Sequence, residues 1–315
     1  MKNQLFWLLA LFFLASCESA VEDMPSSPDS YRTLTAPGSN GGGQGEIEAG
    51  QITAGEWNDL SNWSFWKALF QKEDFSKVLT YWDFEINKRI SVNLKNSSNE
   101  ALVDIQVLLL NKENQILWEA KTDNFGKAEL WTSNNAGDST ADLILKINNQ
   151  TYENIKTFED GVNQIVIDDN TATNEKIDIA FVVDATGSMG DELEYLKVEL
   201  VDVIEVVKNE NPAATINMSS VFYRDEGDEY VTRTSPFSTN INNTVNFIKE
   251  QSAEGGGDFP EAVHTALNEA INNLQWSGSA HSRVLFLMLD APPHYDPQVV
   301  DKIYQTVKQA SKKGI

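Results

Sequence analysis

The stretch that most constrains this chain is Ile177-Asp178-Ile179-Ala180-Phe181-Val182-Val183-Asp184-Ala185-Thr186-Gly187-Ser188-Met189. Its apolar part, Ile179 to Val183, is rich in β-branched residues, too short for a helix, and reads as a buried parallel strand. The residues after Met189 carry a helical pattern. Asp184, Thr186 and Ser188 therefore fall on the loop at the carboxyl end of a central strand, where open α/β sheets bind ligands. A carboxylate and two hydroxyls are hard oxygen donors, suited to Mg²⁺, Mn²⁺ or Ca²⁺ rather than zinc or copper.

Two later segments fall in step with that loop. Gly255-Gly256-Gly257-Asp258-Phe259-Pro260-Glu261-Ala262 is a glycine-rich turn with an acid, and Val284-Leu285-Phe286-Leu287-Met288-Leu289-Asp290 is a second apolar strand ending in aspartate. Together with Asp184-x-Thr186-x-Ser188 they resemble, in order and spacing, the metal-ion-dependent adhesion site of von Willebrand factor type A domains, whose usual form is Asp-x-Ser-x-Ser. The resemblance covers about Lys176 to Ile315. It implies a doubly wound, mostly parallel α/β sheet. It also implies a metal held by Asp184, Thr186, Ser188, Asp258 and Asp290, directly or through water, with one position open to a carboxylate of a partner protein.

The sequence departs from the family pattern at three points. Thr186 stands for the commoner Ser and keeps the hydroxyl. Asp258 falls where adhesion-type members carry Thr. Three carboxylates overcompensate a divalent charge and weaken attraction for an anionic partner, so the site either holds metal structurally, takes a neutral or weakly acidic oxygen donor, or has Asp258 turned away with water in its place. Third, the family fold continues past the helix expected at Pro297–Lys312 with another strand and helix, so the domain reads as truncated. A chain ending at Ile315 would leave Val284–Asp290 an open apolar edge, and marginal stability or insolubility is expected of it. Tyr223-Arg224-Asp225-Glu226-Gly227-Asp228 follows the second strand of this region. Asp225 either approaches the metal from its side of the cleft or belongs to a charged turn with an Arg224–acid pair. His294 reads as a surface or capping residue.

The chain of 315 residues has length for two or three domains and a formal net charge of −23, which argues against nucleic-acid binding. Its one cysteine, Cys17, excludes a disulfide framework. Lys2 and the apolar Leu5–Leu14 read as a signal peptide over residues 1–16. Leu14-Ala15-Ser16-Cys17 resembles the bacterial lipobox, implying lipidation at Cys17 and a membrane-anchored envelope protein. Glu18, Glu22 and Asp23 resemble surface-export signals of Bacteroidota lipoproteins and point to the outer membrane or cell surface. Residues 17–50, with Gly41-Gly42-Gly43, form a flexible tether reaching roughly 30 Å on average.

Residues 51–84 concentrate aromatics, including Trp57, Trp63, Trp66 and Trp82. They are either core packed on the next domain or an exposed glycan-binding platform. Trp63 to Phe70 fits a short helix. Residues 85–168 show short apolar runs at Ile90–Leu94, Val103–Leu110, Ile116–Trp118, Ala128–Trp131 and Leu143–Ile147, the pattern of an antiparallel β-sandwich. Thr122 to Ala128 resembles the strand–turn–strand of carboxypeptidase-regulatory-like domains, with Asp123 a calcium ligand only as the less favoured reading. In the α/β region, helices are expected at Met189–Lys208, Asn240–Ser252, Pro260–Leu274 and Pro297–Lys312, with strands at Ile216–Tyr223 and, antiparallel, Tyr230–Thr234.

No nucleophile elbow, His-Glu-x-x-His, Walker loop or Gly-x-Gly-x-x-Gly is present, and Ser188 has no evident base, so no enzyme is expected. The expected function is a lipid-anchored envelope protein that binds a divalent cation and a protein partner. The alternatives are a scaffold whose metal is purely structural, a glycan binder using the aromatic segment, and a hydrolase supplied by a further C-terminal region.

Overall fold

The computed structural model describes residues 57–82, 86–133, 142–168, 175–257 and 259–315. The leader, Cys17, the tether and Asp258 lie outside them.

The aromatic segment forms two short helices, α1 (Trp63–Leu69) and α2 (Glu73–Tyr81). Part of the segment is core and part is exposed. Trp63 is buried and packs on Trp131 with ring centroids 5.3 Å apart. Trp66, Phe70 and Phe75 pack on one another and join α1 to α2. Trp57 and Phe65 remain exposed, at 58% and 47%. Arg89 ties this pair of helices to the next domain. It donates two hydrogen bonds to Glu129, at 2.7 and 2.9 Å, and one to the Leu60 carbonyl at 2.8 Å. Its guanidinium also lies 3.9 Å over the Phe158 ring.

Seven strands follow: β1 (Ile86–Lys95), β2 (Gln106–Leu110), β3 (Ile116–Lys121), β4 (Lys127–Ser133), β5 (Ile144–Ile147), β6 (Gln150–Tyr152) and β7 (Asn163–Val166). They make a three-stranded sheet, β4-β1-β7, and a four-stranded one, β3-β2-β5-β6. Alternate residues of both sheets, among them Ile90, Val92, Leu94, Val107, Leu109, Leu130, Leu145 and Ile147, enter one shared core, as period-2 patterning requires. The arrangement is not wholly antiparallel. β7 runs parallel to β1, because the chain crosses from one sheet to the other between Tyr152 and Asn163. Asp123 holds the β3–β4 turn: one carboxylate oxygen accepts from the backbone N–H of Phe125 and of Lys127, each at 2.8 Å, and Gly126 takes the positive φ of +73° that the turn needs.

The α/β region holds β8 (Lys176–Asp184), α3 (Gly190–Glu210), β9 (Thr215–Tyr223), β10 (Thr232–Ser238), α4 (Ile241–Lys249), α5 (Val263–Asn268), β11 (Ser282–Met288) and α6 (Pro297–Lys313). Its sheet is mixed, in the order β10-β9-β8-β11. β8 pairs parallel with β9 and β11, and β10 is antiparallel. One face of β8 packs with α3 and α4 through Phe181, Val183, Leu193, Leu200 and Ile248. The other packs with α5 through Ala180, Val182, Val263 and Ala266.

Three expectations shift. The antiparallel strand starts at Thr232 rather than Tyr230. The helix expected from Pro260 starts at Val263, because Glu261 bridges to Pro293, and its last turn, Glu269–Asn273, is π-helical. β11 ends at Met288, leaving Asp290 two residues beyond the strand. Among the described residues β11 is a sheet edge, with Phe286 and Leu287 exposed.

The two domains meet at a buried charge cluster. Arg283 grips both Asp104 carboxylate oxygens at 2.7 and 3.1 Å, and Lys121 adds a contact at 2.9 Å. Nearby, the Trp118 indole donates to Ser311 Oγ at 2.8 Å, and Ser311 donates to the Glu119 carbonyl at 2.9 Å. Burial alone would raise the Asp104 carboxyl. Hydrogen bonds and charge from Arg283 and Lys121 outweigh it and hold the group below the usual carboxylate range. A depressed carboxyl contributes stability that is fully present above its unfolded pKa, about 3.9, and is lost as pH falls through the folded value. Asp104→Asn should therefore cost about 3 kcal/mol at neutral pH, as expected for a broken buried pair. Its deficit relative to wild type should shrink below about pH 4, which urea unfolding at several pH values will measure.

Candidate functional site

The site forms where β8 and β9 end. Asp184, the last residue of β8, is fully buried. Its Oδ1 accepts hydrogen bonds from the Thr186 backbone N–H at 2.8 Å and the Thr186 hydroxyl at 2.7 Å. Thr186 Oγ1 and Ser188 Oγ lie 3.4 Å apart. Asp184 Oδ2 is buried without a hydrogen-bond partner. The contrast with Asp178, also on β8 and equally buried, is informative. Asp178 Oδ1 accepts from Asn217 and the Ser277 hydroxyl, and Oδ2 from the Ser277 N–H. One buried aspartate is fully satisfied by the protein, and the other is not.

A cavity of about 400 Å³ lies beside the loop after β8. Thr186, Ser188, Gly256, Glu261 and Asp290 line it, with Phe259 on its wall. Asp290 and Ser188 are exposed, whereas Glu261 is buried. Burial raises the Asp184 carboxyl and the nearby Asp290 charge adds to this, against the lowering effect of the Thr186 hydrogen bonds.

The loops around the cavity are knitted together by backbone and by two side chains. Gly187 N–H donates to the Gly255 carbonyl at 3.1 Å, and Glu254 N–H to the Ala185 carbonyl at 3.0 Å. Arg224, buried, donates to the Ala185 carbonyl at 3.2 Å and the Ser252 carbonyl at 2.9 Å, and it lies 4.6 Å over the Tyr230 ring. Asp228 Oδ2 accepts from Asp225 N–H at 3.1 Å and Gly256 N–H at 3.0 Å.

Of the residues expected at the site, Thr186, Ser188 and Asp290 line the cavity, whereas Asp184 is joined to it only through its hydrogen bonds with Thr186. Asp258 lies outside the described residues. Asp225 does not line the cavity: its Oδ1 is 2.6 Å from His294 Nε2, which clasps the β9 loop to the loop after β11. Arg224 serves carbonyls rather than Asp225, and its acidic neighbours are Glu229 and Glu254, at 3.7 and 4.0 Å. Glu261 and Tyr223 are the residues that sequence reasoning passed over. Glu261 stood in the quoted glycine-rich segment, but a helix expected from Pro260 placed it on a first turn. Among the described residues no three His, Cys, Asp or Glu side chains converge closely enough to hold a metal by themselves. The donor set here also draws on two hydroxyls.

The fold and the cavity define an α/β domain with an oxygen-donor site at the carboxyl ends of parallel strands. Residues 178–313 match the family model of the von Willebrand factor A domain, and this segment of the chain is a domain of that type. A protein of Acanthamoeba polyphaga mimivirus, named as ariadne-like RING finger, is 33% identical over 131 residues, which are 42% of this chain and 12% of that protein. An alpha-protein kinase of Dictyostelium discoideum is 31% identical over 122 residues, 38% of this chain and 19% of that protein. The chain thus spans less than a fifth of either relative's length. The crystal structure of the pilus adhesin SpaC from Lactobacillus rhamnosus GG aligns over 39% of this chain and 15% of its own, at 16% identity and a TM-score of 0.32. A likeness that low decides nothing about this chain.

Gly256 has φ of +72°, and a Cβ there would sit 2.9 Å from Thr186 Cβ and 3.0 Å from Glu261 Oε1. Gly256→Ala should cost at least about 1–2 kcal/mol from the left-handed backbone alone. Gly257→Ala, where a Cβ meets nothing within 4 Å, should cost less than about 0.5 kcal/mol. Paired urea titrations of the two variants measure the difference.

Proposed function

We propose that the von Willebrand factor A domain binds a hard divalent cation, with Mg²⁺ foremost and Mn²⁺ or Ca²⁺ as alternatives, and uses it to engage a protein partner. The observation that carries this reading is Asp184, a fully buried carboxylate whose Oδ2 has no well-formed hydrogen bond, next to a loop whose Thr186 and Ser188 line a cavity with Glu261 and Asp290. Buried carboxylates left unpaired are costly, and a cation is one of the few groups that satisfies them. The donors are all oxygens, which fits a hard ion. Asp184, Thr186, Ser188 and Asp290 would hold it, joined by Glu261 and by Asp258. When bound, the ion supplies a Lewis-acidic position for a partner oxygen.

Asp184, Glu261 and Asp290 together carry more negative charge than one divalent ion neutralises. The partner group that suits the site is therefore a neutral or weakly acidic oxygen rather than a strong anion. Catalysis is not part of this reading. The N-terminal sequence features support a cell-envelope protein, lipid-anchored through Cys17 at the outer membrane or cell surface. The same burial of Asp184 and Glu261 also favours a second reading, in which the ion only stabilises the fold. Removing metal separates the two: partner loss with the fold intact supports interaction, and unfolding supports a structural ion.

Calorimetric titration of Mg²⁺, Mn²⁺ and Ca²⁺ into the wild type and Asp184→Ala tests the site. Saturable binding by the wild type and none by the variant is expected. Equal heats from both proteins would refute the assignment.

A further inference from the structure

Asp184 and Tyr223 are paired in register across β8 and β9. Strand parity puts both on the face covered by α5, where Ala180, Val182, Val221 and Tyr223 belong to one core. Both are fully buried. Each carries an oxygen with no hydrogen-bond partner: Asp184 Oδ2 and the Tyr223 hydroxyl. An unmet buried polar atom costs about 1–3 kcal/mol, and a phenylalanine would fill the same volume without that cost. The two orphans are complementary, since one can only accept and the other can donate. A phenol keeps its proton at neutral pH and so is available to donate.

We propose that Tyr223 is the positioning residue of the cation site, its hydroxyl donating to Asp184 and fixing the direction in which that carboxylate faces the ion. The inference rests on the cation reading above. With Thr186 holding Oδ1 and Tyr223 engaging Oδ2, the carboxylate cannot swing to follow a larger ion. Mg²⁺ demands near-ideal octahedral geometry, whereas Ca²⁺ accepts irregular shells. Tyr223 thus biases the site toward the smaller cation.

The test is Tyr223→Phe in the full chain, titrated calorimetrically with Mg²⁺ and with Ca²⁺ beside wild type and Asp184→Ala, and melted in chelator. Mg²⁺ affinity should fall about 10-fold or more, as for lost outer-shell partners, and Ca²⁺ affinity by less than about 3-fold because its shell adapts. The metal-free melting temperature should fall, because a buried carboxylate oxygen loses its donor. Equal changes for both ions, or no change, in a wild type that binds overturn the positioning role alone. A variant that melts lower while both ion affinities stay unchanged marks the hydroxyl as purely structural and overturns it too. A wild type that binds neither ion overturns the cation reading and this inference together.

Discussion

A buried aspartate on an apolar strand has to be answered by something, and β8 carries two such residues. At Asp178 the protein answers with donors from Ser277 and Asn217. At Asp184 it answers on one oxygen only, through Thr186. The difference organises the whole end of the sheet. The Thr186 turn puts Thr186 and Ser188 on the cavity wall, Arg224 ties the Ala185 and Ser252 carbonyls together, and the glycine loop can lie close because Gly256 has no side chain.

Much of this was legible beforehand, for a physical reason in each case. Strands buried on both faces read as continuous apolar runs, so β8 and β11 stood out. The amphipathic helices α3 and α6 showed their period, and α6 proves to be capped by Asp296, which accepts from the N–H groups of Gln298 and Val299. The short strands β6 and β7 did not stand out, because three or four residues give too little alternation to separate from a loop. The parallel β1–β7 pairing depends on where the chain crosses between sheets, which no local pattern encodes.

The site was half legible. Asp184, Thr186, Ser188 and Asp290 sit at strand ends, where local sequence predicts position. Glu261 and Tyr223 became visible only through burial. An acid two residues before a helix looks solvent-exposed until the bridge to Pro293 pulls it inward, and a tyrosine closing an apolar strand looks like core until its hydroxyl is found without a partner. Arg224 keeps the acidic neighbours its charge suggested, Glu229 and Glu254, and its hydrogen bonds to carbonyls appear only in the fold.

The last helix has a consequence of its own. α6 runs roughly 25 Å at 1.5 Å per residue. At its start, Asp296 caps the helix two residues after His294, which clasps the site's second loop. At its end, Ser311 and Lys312 fasten to Trp118 and Glu119 of the neighbouring domain. One rigid rod is therefore shared by the cavity rim and the seam between domains. A change in how the two domains lean against each other cannot leave the mouth of the cavity where it was.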